Sequence, residues 1–567
     1  MTTSADDGAG PGRTSRYRAR VFAEREAIAA ALDDAAGHQR RVLRRLLDFN
    51  SGTEYGRSHG FGSVRTLDDF RKAVPVNDYT ALAPYIERTA AGESGVLSAD
   101  DPAVYFTSSG TTGAHKKIPV TPAFMRETFF PFYYAAWAPF IEHHPEVLAR
   151  PDAVLNLKHD PLAAPPTTAS GSPHVGASQV DFGEKFGEPL SAEPGTGAPW
   201  GSLPVPVDPA DHLEKAYLRL RLAVAGDVRG VIGINPAMVA AVPYQLNLWW
   251  PRLVKEIRDG TLGGLPYTGP DPDRALLLER LAGHFGTVRP SHVWPRLRAV
   301  FCWTTGVASL YLPRLREEFG AGVTVLPAPV AASEGPVAVS LDRHGSACSL
   351  TVQAAVYEFL DAEEDLTPDA ATLTWDELEP GRDYHVVFSH VGGLYRYAVG
   401  DVVRVVDRVR GVPRVEYAGR ATRSDAAGER LRDAQVVRAL ASAARATGLE
   451  VRNAACRVTG GPTGTPHYTF AVAPQTPWTP AETSRYAGLL DRAVRDESPR
   501  YREARTAGRL GAVTVMPVDR DAFLRDWHTA VAAGTRPTQV KDRLFRQDPA
   551  LWARLTGTAD TDREDVR

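Results

Sequence analysis

Cysteine is nearly absent: the 567 residues contain three, Cys302, Cys348 and Cys456, too far apart for any zinc-ligand spacing. So sparse and odd a set argues against a disulfide framework and for a reducing, cytoplasmic setting. An excess of one charge is missing too. A formal net charge of −3 gives no electrostatic case for nucleic acid or an anionic membrane as partner. The uncharged stretch Gly230 to Pro251 is the one place to look for a membrane span. Asn235, Pro236, Pro243, Gln245 and Asn247 interrupt it, and polar groups of that kind are costly in hydrocarbon, so it reads as a buried strand and helix. Residues 1–15 are polar and Gly-rich with no apolar core, which excludes a signal peptide and predicts a disordered tail. Lysine is scarce: among 65 basic residues only eight are lysine (Lys72, Lys116, Lys117, Lys158, Lys185, Lys215, Lys255 and Lys541). Arginine serves wherever a generic surface cation would do, so each remaining lysine calls for a reason.

With 43% apolar and 23% charged residues the chain has an ordinary globular composition and enough length for two or three cores. Apolar residues at helical spacing (Val21, Ile28, Leu32, Val42, Leu46) predict helix from Ser15 to Asn50. Leu155 to Pro206 is loop-rich, and Asp211 to Gly260 is helical again. From Leu297 onward short apolar runs alternate with helical segments: Val300 to Trp303, Leu310 to Phe319, Val323 to Leu326. That alternation predicts an α/β domain with a buried sheet. A boundary is expected after the run Tyr384 to Val406. Asp407 to Pro413 reads as a hairpin turn, Gly419 to Gly428 as a polar connector and Glu429 to Thr447 as a helix. Strands Leu449 to Arg457 and Tyr468 to Ala473 complete a smaller α+β domain. The expected division is a tail (1–15), a large α/β domain (16–418) and a small domain (419–567). There is no internal repeat.

The sharpest local signal is Thr107-Ser108-Ser109-Gly110-Thr111-Thr112-Gly113-Ala114-His115-Lys116-Lys117. It follows an apolar strand candidate, Ala103 to Phe106, and precedes a helix opened by Thr121 as N-cap and Pro122 in the first turn. Two glycines let backbone N–H groups converge, hydroxyls add donors, and Lys116 or Lys117 brings positive charge to a polyphosphate. A P-loop is excluded, because His115 and Lys117 flank Lys116 where Gly and Ser or Thr would be needed. The other reading of these residues is a plain Ser/Thr-rich loop.

This segment resembles the phosphate loop of adenylate-forming enzymes such as acyl-CoA synthetases and luciferase. Three further stretches narrow the resemblance: Thr53-Glu54-Tyr55-Gly56-Arg57, Asp69-Phe70-Arg71 to Val74-Pro75-Val76, and Pro84-Tyr85-Ile86. They are similar to the auxin-responsive acyl acid–amido synthetases, the Gretchen Hagen family, and the likeness runs from about Glu24 to about Arg554. It implies a large N-terminal adenylate-forming domain and a smaller mobile C-terminal one. It also implies ATP and Mg²⁺, a small carboxylic acid activated as its adenylate, and an amine or amino acid as acceptor. Within Val330-Ala331-Ala332-Ser333-Glu334-Gly335, Glu334 matches the family's magnesium ligand, and Ser333 the hydroxyl near the α-phosphate. Asp401, at the end of Leu394-Tyr395-Arg396-Tyr397-Ala398-Val399-Gly400-Asp401, matches the ribose-binding carboxylate. Tyr395 and Tyr397 read equally well as strand residues packing into a sheet. Arg430, in Gly428-Glu429-Arg430-Leu431, stands where relatives often have a phosphate-directed lysine. Lys541, in Pro537-Thr538-Gln539-Val540-Lys541, matches the mobile catalytic lysine. One departure matters. Val330 replaces a tyrosine that stacks on adenine, and stacking is worth roughly 1–3 kcal/mol per base. Its loss implies ATP binding weaker by about tenfold or more unless another Tyr or Trp substitutes.

An aromatic helix (Phe124, Phe129, Phe132, Tyr133, Tyr134, Trp137) offers a wall for the acyl group, although aromatics at helical spacing also make core. Two other functions remain open at this stage. An acyl-CoA synthetase would share all these motifs and differ only in the acceptor. A non-catalytic nucleotide- or acid-binding relative would account for Val330 and Arg430.

Overall fold

The computed structural model describes residues 11–109, 115–148, 150–158, 165–188, 194–195, 197–341, 345–460 and 464–557. The architecture is mixed α/β, and the chain forms two compact units, neither contiguous in sequence. The first gathers residues 1–202, 226–232 and 326–417; the second gathers 203–225, 233–325 and 418–567.

In the first unit the N-terminal helical expectation resolves into helices Pro11–Ala31 and Ala35–Asn50. The break falls at Leu32–Asp34, where the Asp34 carboxylate accepts from the Gly37 amide at 3.1 Å and starts the second helix. The first helix begins inside the stretch expected to be tail, with proline at its opening position, where the missing N–H costs nothing. A three-stranded sheet follows. Val104–Ser109 pairs antiparallel with His115–Val120, and His174–Val175 pairs parallel to Tyr105–Phe106. A seven-stranded sheet runs in the order Val330–Ala332, Gly335–Val339, Cys348–Leu350, Val412–Arg420, Leu394–Val409, Asp383–His390, Val356–Asp361.

The turn expected over Asp407 to Pro413 is tighter than its composition suggested. Both strands extend into it, leaving only Arg410 and Gly411, at φ 49° and 80°. Two successive positive φ values match the twist of the flanking strands.

The second unit holds helices His212–Ala225 and Pro236–Asp259, strand Ala299–Cys302 and helix Leu312–Phe319. The Asn235 side chain caps the second of these helices by accepting from the Ala237 amide at 3.0 Å. Among the described residues no helix is long and apolar enough to cross a membrane. Strands Val451–Thr459, His467–Pro474 and Thr514–Pro517 form a sheet covered by helices Asp433–Thr447 and Pro480–Glu497. Helix was expected from Glu429, but it begins at Asp433. Glu429 is fully buried and its carboxylate accepts from the amides of Ala426 and Ala427, at 2.9 and 2.8 Å, and from the Tyr468 hydroxyl. Those bonds make it the anchor of a loop. Within the connector Arg423–Ser424 forms a short strand, which pairs with Leu431–Arg432 just after Glu429.

Candidate functional site

The described ends of the phosphate-loop segment belong to the antiparallel pair just described, with Ser108 opposite Lys116 and Ser109 opposite His115. Gly110, Thr111 and Thr112 lie outside the described residues, as do the side chains of Ser108 and Ser109. Lys116 and Lys117 sit in a strand and not in the loop, so they point to opposite faces. Lys117 forms an ion pair with Glu87 on helix Tyr79–Ala90, and its amide donates to the Tyr79 hydroxyl at 3.0 Å. The Lys116 ammonium lies 5.3 Å from the Tyr79 ring centroid. After this strand Thr121 accepts from the Phe124 amide at 3.2 Å, and Pro122 opens the aromatic helix. Met125–Phe129 makes a π-helical turn within that helix.

Ser333 and Glu334 form the two-residue connection between strands Val330–Ala332 and Gly335–Val339. Ser333 is half-buried and Glu334 only 4% exposed. His390 orients this turn. Its Nδ1 accepts from the Gly392 amide at 3.1 Å, which leaves Nε2 to carry the proton and donate to the Glu334 carbonyl at 2.9 Å. Burial pushes the His390 pKa down to about 4, only partly countered by the Glu334 carbonyl. The imidazole is therefore neutral with one tautomer selected. Its ring lies 4.5 Å from Phe124 and 5.7 Å from Phe388. Through His390, the start of the aromatic helix behind the phosphate hairpin meets the Glu334 turn.

Val330, in place of the family's aromatic, is a buried residue in the first strand of this hairpin. Asp401 is 7% exposed. It follows Gly400, whose φ of 81° forms part of a bulge: Val387 faces Ala398 while His385 faces Val402. Asp401 thus follows a bulge inside a long strand. Asp401 lies midway along Leu394–Val409, beside the bulge, whereas His390 sits at the hairpin end of the pair, opposite Leu394.

The residues before Asp401 are structural. Tyr395 and Tyr397 are fully buried. Tyr395 stacks on Tyr55 at 4.7 Å, and its hydroxyl donates to the Leu97 carbonyl. Arg396, at φ 41°, turns its guanidinium inward. It donates to Glu358 at 3.0 and 3.1 Å, to Thr372 at 3.0 Å and to the Val74 carbonyl at 2.8 Å. Arg71 reaches the same carboxylate at 2.9 Å. Motif matching did not reveal Glu358 or His390, although an acid inside the apolar run Val356–Asp361 was a usable signal for the first.

Of the aromatic helix, Phe124, Phe132, Tyr134 and Trp137 are between 1% and 5% exposed and belong to the core. Phe129 and Tyr133 remain half-buried, stacked at 5.4 Å, with Phe182 at 5.5 and 6.3 Å.

In the second unit, Arg430 is half-buried, at φ 46°, just before Leu431. Lys541 is exposed, its ammonium 5.5 Å from the Trp303 ring centroid. Its neighbours hold it in place. Asn235 donates to the Val540 carbonyl, and the Tyr311 hydroxyl donates to Asp542. Arg546 bridges Asp542 at 3.2 Å and Asp526 at 2.6 Å. Burial raises the Asp542 pKa even though Arg546 and Tyr311 favour the carboxylate. Beyond it Phe545 bridges to Cys456 on the sheet. Leu431 and Leu544 share one core, so Arg430 and Lys541 flank the same packed body.

Among the described residues no cluster of three or more His, Cys, Asp or Glu could hold a metal by itself. One buried carboxylate beside a hydroxyl fits a hard cation that takes most of its ligands from substrate phosphates and water.

The chain matches the GH3 family N-terminal domain over residues 24–324, the GH3 family central domain over 348–420 and the GH3 family C-terminal domain over 434–549. Among curated proteins it is 29% identical over 432 residues to a probable indole-3-acetic acid-amido synthetase of Oryza sativa subsp. japonica, covering 68% of this chain and 69% of the relative. A jasmonoyl–L-amino acid synthetase of Nicotiana attenuata is 24% identical over 426 residues, covering 68% and 69%. Among solved structures, a GH3.15 acyl acid amido synthetase superposes with a TM-score of 0.76 over 94% of this chain and 95% of that one, at 20% identity.

Proposed function

Because this chain belongs to the GH3 family, we propose that it is an ATP-dependent acid–amino acid ligase: it activates a small carboxylic acid as the acyl-adenylate, releases pyrophosphate and passes the acyl group to an amine. The observation that carries this is the match to all three family modules, with amido synthetases of two different acids among the relatives.

In the first half-reaction the acid's carboxylate attacks the α-phosphate and pyrophosphate leaves. The hairpin Ser108 to Lys117, with its loop residues Ser109, Gly110, Thr111 and Thr112, holds the polyphosphate, with Lys116 the better lysine because Lys117 is paired with Glu87. Asp401 accepts from the ribose hydroxyls. Ser333 lies near the α-phosphate, and Glu334 would hold Mg²⁺, kept in place by the His390 bond to its backbone. When bound, Mg²⁺ neutralises charge developing on the phosphates. Lys541 bridges carboxylate and α-phosphate as a compact ammonium, and Arg430 adds charge as a planar fork. The half-buried faces of Phe129, Tyr133 and Phe182 line the acyl pocket. For the second half-reaction residues 419–567 turn as a mobile domain, breaking the bonds from Asn235 to Val540 and from Tyr311 to Asp542, and the amine attacks the adenylate carbonyl. The three cysteines are buried and outside any disulfide, which supports a reducing compartment and hence the cytoplasm.

The test is incubation with ATP, Mg²⁺ and a panel of aromatic and small aliphatic acids, following pyrophosphate release, then addition of amino acids or coenzyme A to the active acid. Amide product supports the reading. Thioester alone would assign an acyl-CoA synthetase, and pyrophosphate release with no acid would remove the adenylation reading.

A further inference from the structure

The large apolar side chains left exposed among the described residues are not scattered. All six (Leu248, Leu265, Tyr267, Leu276, Leu277 and Phe285) fall within residues 248–285 of the second unit, each between 39% and 49% exposed. A lone exposed leucine needs no explanation, whereas several gathered together mark a contact surface. Helix Pro272–Phe285 holds three of them, and its Ala275 and Leu278 are buried. At about 3.6 residues per turn, the face opposite those two carries Asp273, Leu276, Leu277 and Arg280, and all four are exposed.

The chemistry of this face is symmetric. Leu276 and Leu277 sit at its centre, with Asp273 three residues before the first and Arg280 three residues after the second. The two opposite charges stand about 10 Å apart along the axis at ~1.5 Å per residue. Glu279, on the flank, is taken up by Arg258. A face of this kind complements itself. Two copies related by a two-fold axis between Leu276 and Leu277 run antiparallel, so Leu276 of one meets Leu277 of the other and Asp273 meets Arg280 twice over. The same axis brings Gly283 against Pro270, just before the other helix. Glycine weakens a helix, and a Cβ at Gly283 would meet nothing within 4 Å, so packing inside the chain does not call for one. Close approach of a second chain does. An anionic lipid surface fits this face less well, because Asp273 would be pressed against like charge.

We propose that this face is an interface between two copies of the chain, paired antiparallel about that axis. The leucines of both copies supply the buried centre, and the two Asp273–Arg280 pairs fix the register. Charge pairs at a rim add little affinity but reject other alignments, since a shifted register would leave Asp273 facing leucine or a like charge. The proposal stands apart from the ligase reading, because the helix has no part in the chemistry above.

The experiment is sedimentation velocity of the full-length protein from about 1 to 100 μM, with a dimer expected at a Kd on the order of 10 μM, as suits an interface below standard size. Leu277 is exposed, so Leu277→Glu leaves the core intact and should unfold thermally like the parent. Its Kd should rise by about 30-fold or more, leaving monomer throughout. Asp273→Arg and Arg280→Asp should each weaken the dimer about 10-fold by setting like charges opposite one another. An equimolar mixture of those two variants, and the double variant, should recover it. Monomer at every concentration would leave the face to another occupant and overturn the proposal. So would a dimer untouched by Leu277→Glu, or single charge swaps that have no effect or that the double variant does not repair.

Discussion

Replacing Asp433 by asparagine isolates the cost of a half-buried carboxylate whose Oδ1 has no hydrogen-bond partner among the described residues. Asp433 opens helix Asp433–Thr447, beside Gly419, whose φ is 113°. Its Oδ1 is buried and finds no hydrogen-bond partner among the described residues. Burial alone raises its pKa from 3.8 to about 7. The sign follows. The folded state keeps a proton that the unfolded chain releases above 3.8, so stability is full below that pH, falls as pH rises and is lost through about 7. A shift of about 3 units is roughly 4 kcal/mol at 1.36 kcal/mol per unit. The helix N-terminus favours the anion by roughly 0.3–1 kcal/mol, which leaves about 3 kcal/mol. Asparagine does not titrate. Asp433→Asn should therefore stabilise the protein by about 3 kcal/mol at pH 8, and by about 2 kcal/mol less than that at pH 5. Urea unfolding at both pH values measures this, with amide exchange along Asp433–Thr447 as the local readout. Equal changes at pH 5 and pH 8, or a variant less stable at pH 8, would refute the reasoning.

Glu334→Gln keeps the turn and its His390 bond but loses the charge; pyrophosphate release should fall steeply in a folded protein, and near-normal turnover would remove Glu334 as the metal ligand. His390→Leu leaves the Gly392 amide and the Glu334 carbonyl without their partner, at about 1–3 kcal/mol each; unfolding should shift accordingly, and half-maximal Mg²⁺ should rise. Glu358→Gln breaks a buried pair with Arg396 and should cost roughly 3–5 kcal/mol, measured by denaturation; a loss under about 1 kcal/mol would show the pair is dispensable. Lys541→Ala should lower pyrophosphate release on the order of 10²-fold while sparing conversion of supplied acyl-adenylate to amide. Equal losses in both half-reactions would argue against domain alternation.

Periodicity made the two N-terminal helices legible, because Val21, Ile28, Leu32 and Leu46 all turn inward. Residue Val42 was less well placed: it is half-buried, and Leu43 beside it is the core residue. Capping chemistry located the helix after the phosphate hairpin, since Thr121 and Pro122 act where their residue types indicate. The Tyr-Arg-Tyr stretch carried two meanings, and only burial separates them: the tyrosines pack, and Arg396 closes an ion pair with a residue 38 positions earlier. No local pattern shows such pairing. The same holds for Lys541, whose exposed ammonium could be picked out by lysine scarcity, while its support by Tyr311, Asp542 and Arg546 depends on segments brought together by folding. That residues 203–225 and 233–325 would group with 418–567 had no linear signal.

That discontinuity has a consequence on the ribosome. Arg396 bonds the Arg71 carbonyl across 325 residues, and the same guanidinium satisfies Glu358 and the Val74 carbonyl. At about 5–20 residues per second, translation separates Arg71 from Arg396 by roughly 15–65 s. During that interval the nascent segment Arg71 to Asn77 lacks the strand it will lie against, and Tyr55 lacks the Tyr395 ring that covers it. The first unit therefore completes its core only after nearly three quarters of the chain has been made, and until then its apolar N-terminal surface stays uncovered.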